Sequence, residues 1–371
     1  MNTVQVGVIG LGFIGKLHID SLRRLPYVRV VAVSSAVQEE MELIGNAFGI
    51  EKRYKNWEDL VQDPDVQVVH DCAPVQLHGL INSRCIMEGK SIYSEKPLAM
   101  DSADAERQIA ALDEQPVANA VGHQYRSNAA VHAIKEKLQS GNCGKLLFIR
   151  GRYFQESLCR EQDYSLRLVP ENSPARALSD LGSHLADLII YLTDSSFASV
   201  CANMITHYPE RIDVSTGRKI AIHSDDTTIA QFVLNSGVPG IFEVSKAAHG
   251  HQNDLEIAIE CSECELVWKQ QVPDRYEINS RGTGNCTVIV DSKYASDSIR
   301  PLISLPAGHV MGWTEALKNN MQMFYQSIRE GSWKNSVPYT TFRDELAVQQ
   351  FIDACINSSC SRGWTDIGGV K

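Results

Sequence analysis

The sequence predicts an α/β protein of two dissimilar domains. A parallel-sheet domain is expected over 1–123, and an α+β domain with an open antiparallel or mixed sheet over 124–371. Three observations carry this. A glycine-rich turn, G-L-G-F-I-G at 10–15, stands between a β-branched run and an amphipathic stretch. Strand-like and helix-like stretches then alternate to about residue 123, as in a parallel sheet with crossover connections. Beyond that point strand-like runs follow one another without helices between them, as in antiparallel or mixed sheets. A chain of 371 residues is also longer than one hydrophobic core usually organises.

Composition narrows the class of partner. With 43% hydrophobic and 22% charged residues the chain reads as an ordinary globular protein. Its formal charge of -10 speaks against nucleic acid or an anionic membrane surface, which need a basic footprint. No apolar run reaches the length of a membrane span, and M-N-T-V-Q-V-G-V-I-G reads as a strand, not an export signal, so a cytoplasmic location is expected. The ten cysteines include one C-x-x-C, Cys261 and Cys264, with no second pair to complete a zinc site; free thiols and no metal are expected.

The first domain begins with a strand at Val4–Ile9. Next come the glycine turn, a helix with apolar residues at Leu17, Leu22 and Leu25, and a second strand at Val28–Val33. This strand–turn–helix–strand context marks a dinucleotide site of the Rossmann type. Gly10 permits the tight turn, Gly12 lets backbone approach the pyrophosphate, and Gly15 lets the helix pack on its strand. Phe13 and Ile14 complete the turn at the helix N-terminus, where free N–H groups and the dipole favour phosphate. The second strand ends in Ser34 and Ser35, where sites preferring NAD usually carry an acid. No arginine follows to hold a 2′-phosphate, and Glu39 and Glu40 lie just downstream, so the coenzyme is NAD or NADP. Strands at Val66–Cys72 and Ser91–Ser94 flank a further helix. Their ends carry C-A-P-V-Q-L-H (72–78) and S-E-K-P-L-A (94–99), where parallel sheets bind ligands. Lys96 leaves its strand on the nicotinamide edge, with Pro97 biasing it to extended backbone. Partly desolvated there, its ammonium could take part in proton transfer.

The second domain is expected to begin with a helix at Ala129–Gln139 and a strand over 145–154. Strands follow at Ala198–Thr206, Thr227–Leu234, Gly240–Lys246, Leu255–Cys261 and Glu265–Trp268, and helices close the chain at Trp313–Arg329 and Thr341–Ser358. The apolar run A-L-S-D-L-G-S-H-L-A-D-L-I-I-Y-L carries Asp180, His184 and Asp187 at spacings of four and seven, hence on one helix face.

With these motifs in order, the chain resembles the Gfo/Idh/MocA oxidoreductases, named for glucose-fructose oxidoreductase and inositol dehydrogenase. The resemblance rests on G-L-G-F-I-G, A-P-V-Q-L-H, E-K-P (95–97), G-H-Q-Y-R (122–126), G-N-C-G-K (141–145) and D-L-G-S-H-L-A-D (180–187), and it covers nearly the whole chain. It implies a Rossmann domain followed by a domain with a large, mostly antiparallel sheet that binds substrate and forms a homo-oligomer, dimer or tetramer. It implies that Lys96 contacts substrate and nicotinamide ribose, and that Asp180 and His184 are the D-x-x-x-H pair with histidine as general acid/base. Ala73, Pro74, His78, Glu95 and Gln124 would line the cofactor, with Gln124 and Arg126 at the domain junction. The family often has T-P-N where this chain has Ala73-Pro74-Val75, and Phe-Asn where it has His123-Gln124. Gln155, Tyr164 and Arg167, in a polar segment resembling those of sugar- and cyclitol-acting members, and His309 join Arg126 as substrate candidates, with ordinary surface packing the alternative for Tyr164 and Arg167. For His309 a place near the cap of the following helix is an equal alternative. Asp187 is expected on the helix surface or behind the reacting groups, and Gly182 to let a ligand approach. The reaction implied is hydride transfer between the nicotinamide and a secondary alcohol or ketone of a sugar, polyol or cyclitol. A dinucleotide-sensing regulatory protein and an NAD-dependent glycosidase are the alternatives.

Overall fold

The computed structural model describes residues 3–169, 173 and 175–368. The chain forms two compact units, one of Met1–Gln124 with Leu317–Leu346 and one of Tyr125–Ala316 with Ala347–Lys371.

In the first unit the order is β1 (Val4–Ile9), α1 (Phe13–Arg23), β2 (Val28–Ser34), α2 (Gln38–Phe48), β3 (Lys52–Tyr54), α3 (Trp57–Gln62), β4 (Val68–Asp71), α4 (His78–Met87), β5 (Ser91–Ser94), α5 (Ser102–Glu114) and β6 (Asn119–Val121). The six strands are all parallel, in the order β3-β2-β1-β4-β5-β6. Strands buried on both faces read as continuous apolar runs; Val6, Val8, Val68, Val69 and Ile92 are accordingly buried. The register aligns Ser34, Ile9, Asp71, Ser94 and Val121 in one row at the strands' carboxyl ends. Every expected cofactor segment of this unit therefore leaves the sheet from a single edge.

The segment Leu317–Leu346, which the sequence pattern places with the second domain, belongs to this first unit. Its side chains explain why. Phe324, Tyr325, Tyr339 and Phe342 are buried, Phe342 joins the apolar cluster under the parallel sheet, and the Val121 amide donates to the Thr340 carbonyl at 2.8 Å. Contiguity in sequence could not show a chain that returns to an earlier core.

The second unit contains α6 (Ala129–Gln139), β7 (Leu146–Phe154), a π-helical turn over Leu178–Gly182 that runs into α7 (Ser183–Thr193), and the strands β8 (Phe197–Ile205), β9 (Glu210–Asp213), β10 (Arg218–Ala221), β11 (Thr227–Leu234), β12 (Pro239–Ser245), β13 (Asp254–Cys261), β14 (Glu265–Lys269), β15 (Arg275–Asn279) and β16 (Cys286–Ile289). Helices α8 (Trp313–Glu330) and α9 (Phe342–Ser361) each give residues to both units, and β17 (Thr365–Asp366) ends the fold. Nine strands form one sheet in the order β16-β15-β14-β13-β7-β12-β11-β8-β17. All its pairs are antiparallel except β7 with β12. On β12, Phe242 and Val244 are buried while Ile241 and Glu243 are exposed, the alternation of a sheet covered on one face. The covered face packs α6, α7 and the second half of α9 into one apolar cluster, with Leu181, Leu185, Phe242 and Phe351 among its members.

Among the described residues no helix is long and apolar enough to cross a membrane, and no group of three or more His, Cys, Asp or Glu is placed to hold a metal ion.

Candidate active site

The glycine turn follows β1 directly. Gly10 has φ +84°, a left-handed value open chiefly to glycine, and a Cβ there would overlap the Cys72 carbonyl. Gly15 leaves no room for a Cβ against the Gly10 carbonyl, so its role is close packing of α1. Gly12 faces open space on its Cβ side and caps α1 with no side-chain hydrogen bond. The first-turn N–H groups of α1 thus stand without a side-chain cap, which suits a phosphate, and exposed Phe13 and half-buried Ile14 flank them. These residues fit a dinucleotide.

The Gly10 amide donates to the Ser34 carbonyl at 2.9 Å, which brings the end of β2 beside the turn. The Ser35 hydroxyl donates to Glu40 Oε2 at 3.3 Å, and the Val37 amide donates to Ser35 Oγ at 3.1 Å. An acid absent from the end of β2 in sequence is thus supplied next to it by α2.

The 72–78 and 94–99 segments are stapled together by His78. Its Nε2 lies 2.9 Å from the Ala73 carbonyl and its Nδ1 2.9 Å from the Pro97 carbonyl. The ring is buried, so what this histidine offers a cofactor runs through the backbone it holds; Pro74 itself is exposed and Gln124 is buried. Lys96 is half-buried, and its bond to Pro97 is cis. Glu95 accepts from the Lys96 amide at Oε2 (3.3 Å) and contacts His18 Nε2 at Oε1 (3.0 Å). A Cβ on Gly122 would come within 2.5 Å of that Oε1, so the glycine leaves the carboxylate its place.

Behind Glu95 runs a buried line that the sequence did not suggest. His18 Nδ1 meets His70 Nδ1 at 2.9 Å, and His70 Nε2 meets the Tyr325 hydroxyl at 2.8 Å. Burial, reinforced by His18, holds the His70 pKa well below the ordinary histidine value, so His70 is neutral. With His18 donating from Nε2 to Glu95, one consistent direction is Tyr325 O–H to His70 Nε2, then His70 Nδ1–H to His18 Nδ1. His70 also stacks on Tyr93, whose hydroxyl donates to Asn320 at 2.6 Å.

In the second unit, Asp180 and His184 lie on one helical run, but not on a simple α-helix. Asp180 sits in the π-helical turn and His184 in the first turn of α7. Asp225 anchors the start of this run: its carboxylate accepts from the amides of Arg176 (2.6 Å), Ala177 (3.2 Å) and Leu178 (2.9 Å). Asp180 accepts at Oδ2 from Arg176 (2.9 Å) and from Lys246 (2.7 Å). His184 is buried, with its ring edge-on to Tyr125, 4.9 Å between centroids, and tilted to Tyr153 at 6.4 Å. The two tyrosine hydroxyls are 2.8 Å apart. Tyr153 donates to Asn253 Oδ1 at 2.5 Å, and Gln155 reaches the same oxygen at 3.0 Å. Gln155 Oε1 in turn accepts from Lys246 at 2.7 Å. One polar network thus joins Arg176, Asp180, Lys246, Gln155, Asn253, Tyr153 and Tyr125. Burial raises the pKa of Tyr125, and that of Tyr153 still further. Both phenols are therefore neutral donors near pH 7.

Several expectations change. Asp187 is not on the helix surface: it is buried in a two-point ion pair with Arg126, including a 3.0 Å contact from Arg126 Nε. Arg126 also lies over the Tyr191 ring, so it is a buried structural cation in this arrangement. Gly182 does not face an open approach; a Cβ there would come within 3.0 Å of both Leu178 and the Phe242 ring, so it packs the helix on β12. Tyr164 packs against the small cluster of Leu158, Leu168 and Ile222, and Arg167 is exposed. His309 is exposed on the loop before α8, its Nδ1 3.1 Å from the Pro306 carbonyl. Of the substrate candidates, the structure joins Gln155 directly to the Asp180 network. The network residues missed in sequence, Lys246, Asn253, Tyr125 and Tyr153, are scattered over 128 positions; the only local signal was that Lys246 and Gln155 each end a strand-like run.

Comparison with known proteins agrees with this organisation. Residues 4–123 match the GFO/IDH/MocA oxidoreductase family, NAD-binding Rossmann fold, and residues 131–267 match the GFO/IDH/MocA C-terminal domain. The chain is 26% identical to levoglucosan dehydrogenase of Pseudarthrobacter phenanthrenivorans over 100% of both chains. It is 29% identical to inositol 2-dehydrogenase of Salmonella typhimurium over 74% of this chain and 83% of that one. A solved structure of levoglucosan dehydrogenase in complex with NADH and L-sorbose superposes with a TM-score of 0.93 at 26% identity, covering 100% of each chain. The chain therefore belongs to the GFO/IDH/MocA family and is an NAD-dependent oxidoreductase, with a Rossmann unit followed by the family's C-terminal domain.

Proposed function

We propose that this enzyme oxidises a secondary alcohol of a sugar, polyol or cyclitol, and reduces the matching ketone in reverse, with Lys96, Asp180 and His184 as the catalytic residues. The observation that carries the reading is the helical run that presents an ion-paired Asp180 one turn before a buried histidine. The substrate class is supported by the relatives, a levoglucosan dehydrogenase and an inositol 2-dehydrogenase, and by the neutral hydrogen-bonding groups Gln155, Asn253, Tyr125 and Tyr153 around Asp180, which suit hydroxyl-rich, uncharged ligands. NAD, when bound, takes up or returns the hydride.

The chain's own groups manage the proton and the orientation. The turn from Gly10 to Gly15 and the N-terminus of α1 hold phosphate, and Ser34 and Ser35 receive the ribose. Glu40 beside Ser35 places a carboxylate where a 2′-phosphate would be repelled, which supports NAD over NADP. His184, unprotonated, accepts the hydroxyl proton as the alcohol is oxidised. Asp180 carries the balancing negative charge. The Lys96 ammonium, which the family resemblance makes a substrate contact, can stabilise negative charge that develops on the substrate. Assembly with further copies through the uncovered face of the nine-stranded sheet, where Ile229 and Ile241 are exposed, and a cytoplasmic site of action complete the reading.

The test is a panel of anhydrosugars, sugars and inositols offered with NAD and NADP in parallel, read by absorbance of the reduced nicotinamide. Signal with NAD and one or more cyclic polyols is expected. Binding of NAD without signal from any member of the panel would point to a regulatory protein. Turnover that keeps reduced cofactor bound would mark hydrolysis through transient oxidation.

A further inference from the structure

We propose that Lys246 is a positioning residue for this reaction: its buried ammonium clamps Asp180, and its charge keeps the neighbouring His184 in the neutral, proton-accepting form. The proposal rests on the assignment of Asp180 and His184 above.

The argument begins with the position of Lys246 in the chain. It directly follows β12, in the run G-I-F-E-V-S-K, with its neighbours Val244 and Ser245 buried. Lysine is among the residues least often buried without a partner, because taking an ammonium out of water costs several kcal/mol. Lys246 is nonetheless 2% exposed. Strand pairing explains how it is accommodated. β12 runs parallel to β7 with Ser245 opposite Phe154, so Gln155 and Lys246 leave neighbouring strands at the same end. There the ammonium donates to Gln155 Oε1 and to Asp180 Oδ2, both at 2.7 Å. Its backbone amide donates to the Asp226 carbonyl at 2.8 Å, which fixes the stem.

The consequence lies in the charge count. Asp180 already has one cation from its own helical run, Arg176, at 2.9 Å. Lys246 is a second, brought from the sheet. Arg176 and Lys246 thus set two cations on the Asp180 carboxylate, and removing either takes one positive charge from the neighbourhood of His184. Tyr125 and Tyr153, whose rings face His184, are kept neutral by burial and add no charge there. An excess positive charge disfavours protonation of an imidazole close by. Asp180, doubly paired, links Lys246 to the helical run that carries His184. Charge of this kind is felt strongly in a site shielded from water.

The experiment compares the pH profile of kcat, at saturating NAD and with a substrate identified in the panel, for the wild type, Lys246→Met, Lys246→Arg and Gln155→Glu. Without the lysine charge, His184 should hold its proton to higher pH. The acid limb should move up by about one pH unit in Lys246→Met, with a loss of about tenfold at neutral pH that narrows at alkaline pH. Lys246→Arg should return the limb toward the wild-type position. Gln155→Glu keeps the ammonium paired while partly neutralising it, at the cost of the Gln155 donor to Asn253 Oδ1, so it should move the limb the same way by less; it decides the matter if Lys246→Met does not fold. An unmoved acid limb in Gln155→Glu and in folded Lys246→Met, whatever the change in kcat or KM, would overturn the proposal and leave Lys246 a packing residue. Failure of the underlying assignment looks different: His184→Ala would then turn over at the wild-type rate, irrespective of Lys246.

Discussion

The two units each bury a line of polar side chains, and the lines differ in kind. In the first, Tyr325, His70 and His18 lead to Glu95 through three contacts of 2.8 to 3.0 Å. In the second, Arg176 and Lys246 converge on Asp180 next to His184. The first line rests on directed hydrogen bonds around a neutral histidine. It gives Glu95, and through it the Lys96 amide, one fixed arrangement. The second is ionic and gathers charge beside a buried histidine. A buried hydrogen-bonded line chiefly specifies position, whereas a buried charge cluster also shifts protonation. Cutting the first line should therefore cost stability, and altering the second should cost turnover.

The largest effect is expected at Lys96. If Lys96 acts as proposed, Lys96→Met should lower kcat by about 10²- to 10³-fold, with NADH affinity, read by fluorescence titration, changed little. A comparable loss in NADH affinity would instead make Lys96 chiefly a cofactor anchor.

Acid should weaken the second unit through His132. Burial, aided by Arg126, lowers its pKa to about 4, below the unfolded value of about 6.5. The unfolded chain therefore binds the extra proton first, and the stability present above about pH 6.5 is lost as pH falls toward 4, by at most about 3 kcal/mol. Urea midpoints across this range should fall, and His132→Phe should flatten the slope.

Tyr325→Phe leaves His70 Nε2 buried without its partner, at a cost of about 1–3 kcal/mol. Thermal unfolding should show that loss while kcat stays within a few-fold of wild type. A drop in kcat of the Lys96→Met size would merge the two lines into one functional device and break the comparison. Gly182→Val should likewise destabilise, by about 1–3 kcal/mol, because the added methyls meet Leu178 and Phe242.

The smallest effect concerns coenzyme choice. Glu40→Gln should raise the ratio of kcat/KM for NADP over NAD by several-fold, on the order of 1 kcal/mol, by removing one charge near Ser35. An unchanged ratio would place the discrimination elsewhere.

Legibility from sequence followed locality. The glycine turn, E-K-P and D-L-G-S-H were readable because each motif lies within a single turn or strand end. The glycine roles at Gly10 and Gly15 follow from the strand–turn–helix context alone. The line behind Glu95 was not readable, because His70 and Tyr325 are 255 residues apart and meet only once 317–346 returns to the first unit. The π-helical turn escaped notice because the spacing of Asp180, His184 and Asp187 matches an α-helix equally well. Gly182, which ends that turn, packs on Phe242, and Asp187, further along α7, is buried with Arg126. Lys246 looked like the polar end of a strand; the parallel pairing of β7 with β12 sets it beside Gln155, and its ammonium reaches Asp180 from there.

The most direct test of the central claim is a single-turnover measurement of reduced-nicotinamide formation by His184→Ala and by the wild type, each saturated with NAD and a cyclic polyol. The account predicts a rate lower by about 10²- to 10⁴-fold in the variant, with NAD affinity preserved. A variant that forms reduced nicotinamide at the wild-type rate would contradict it.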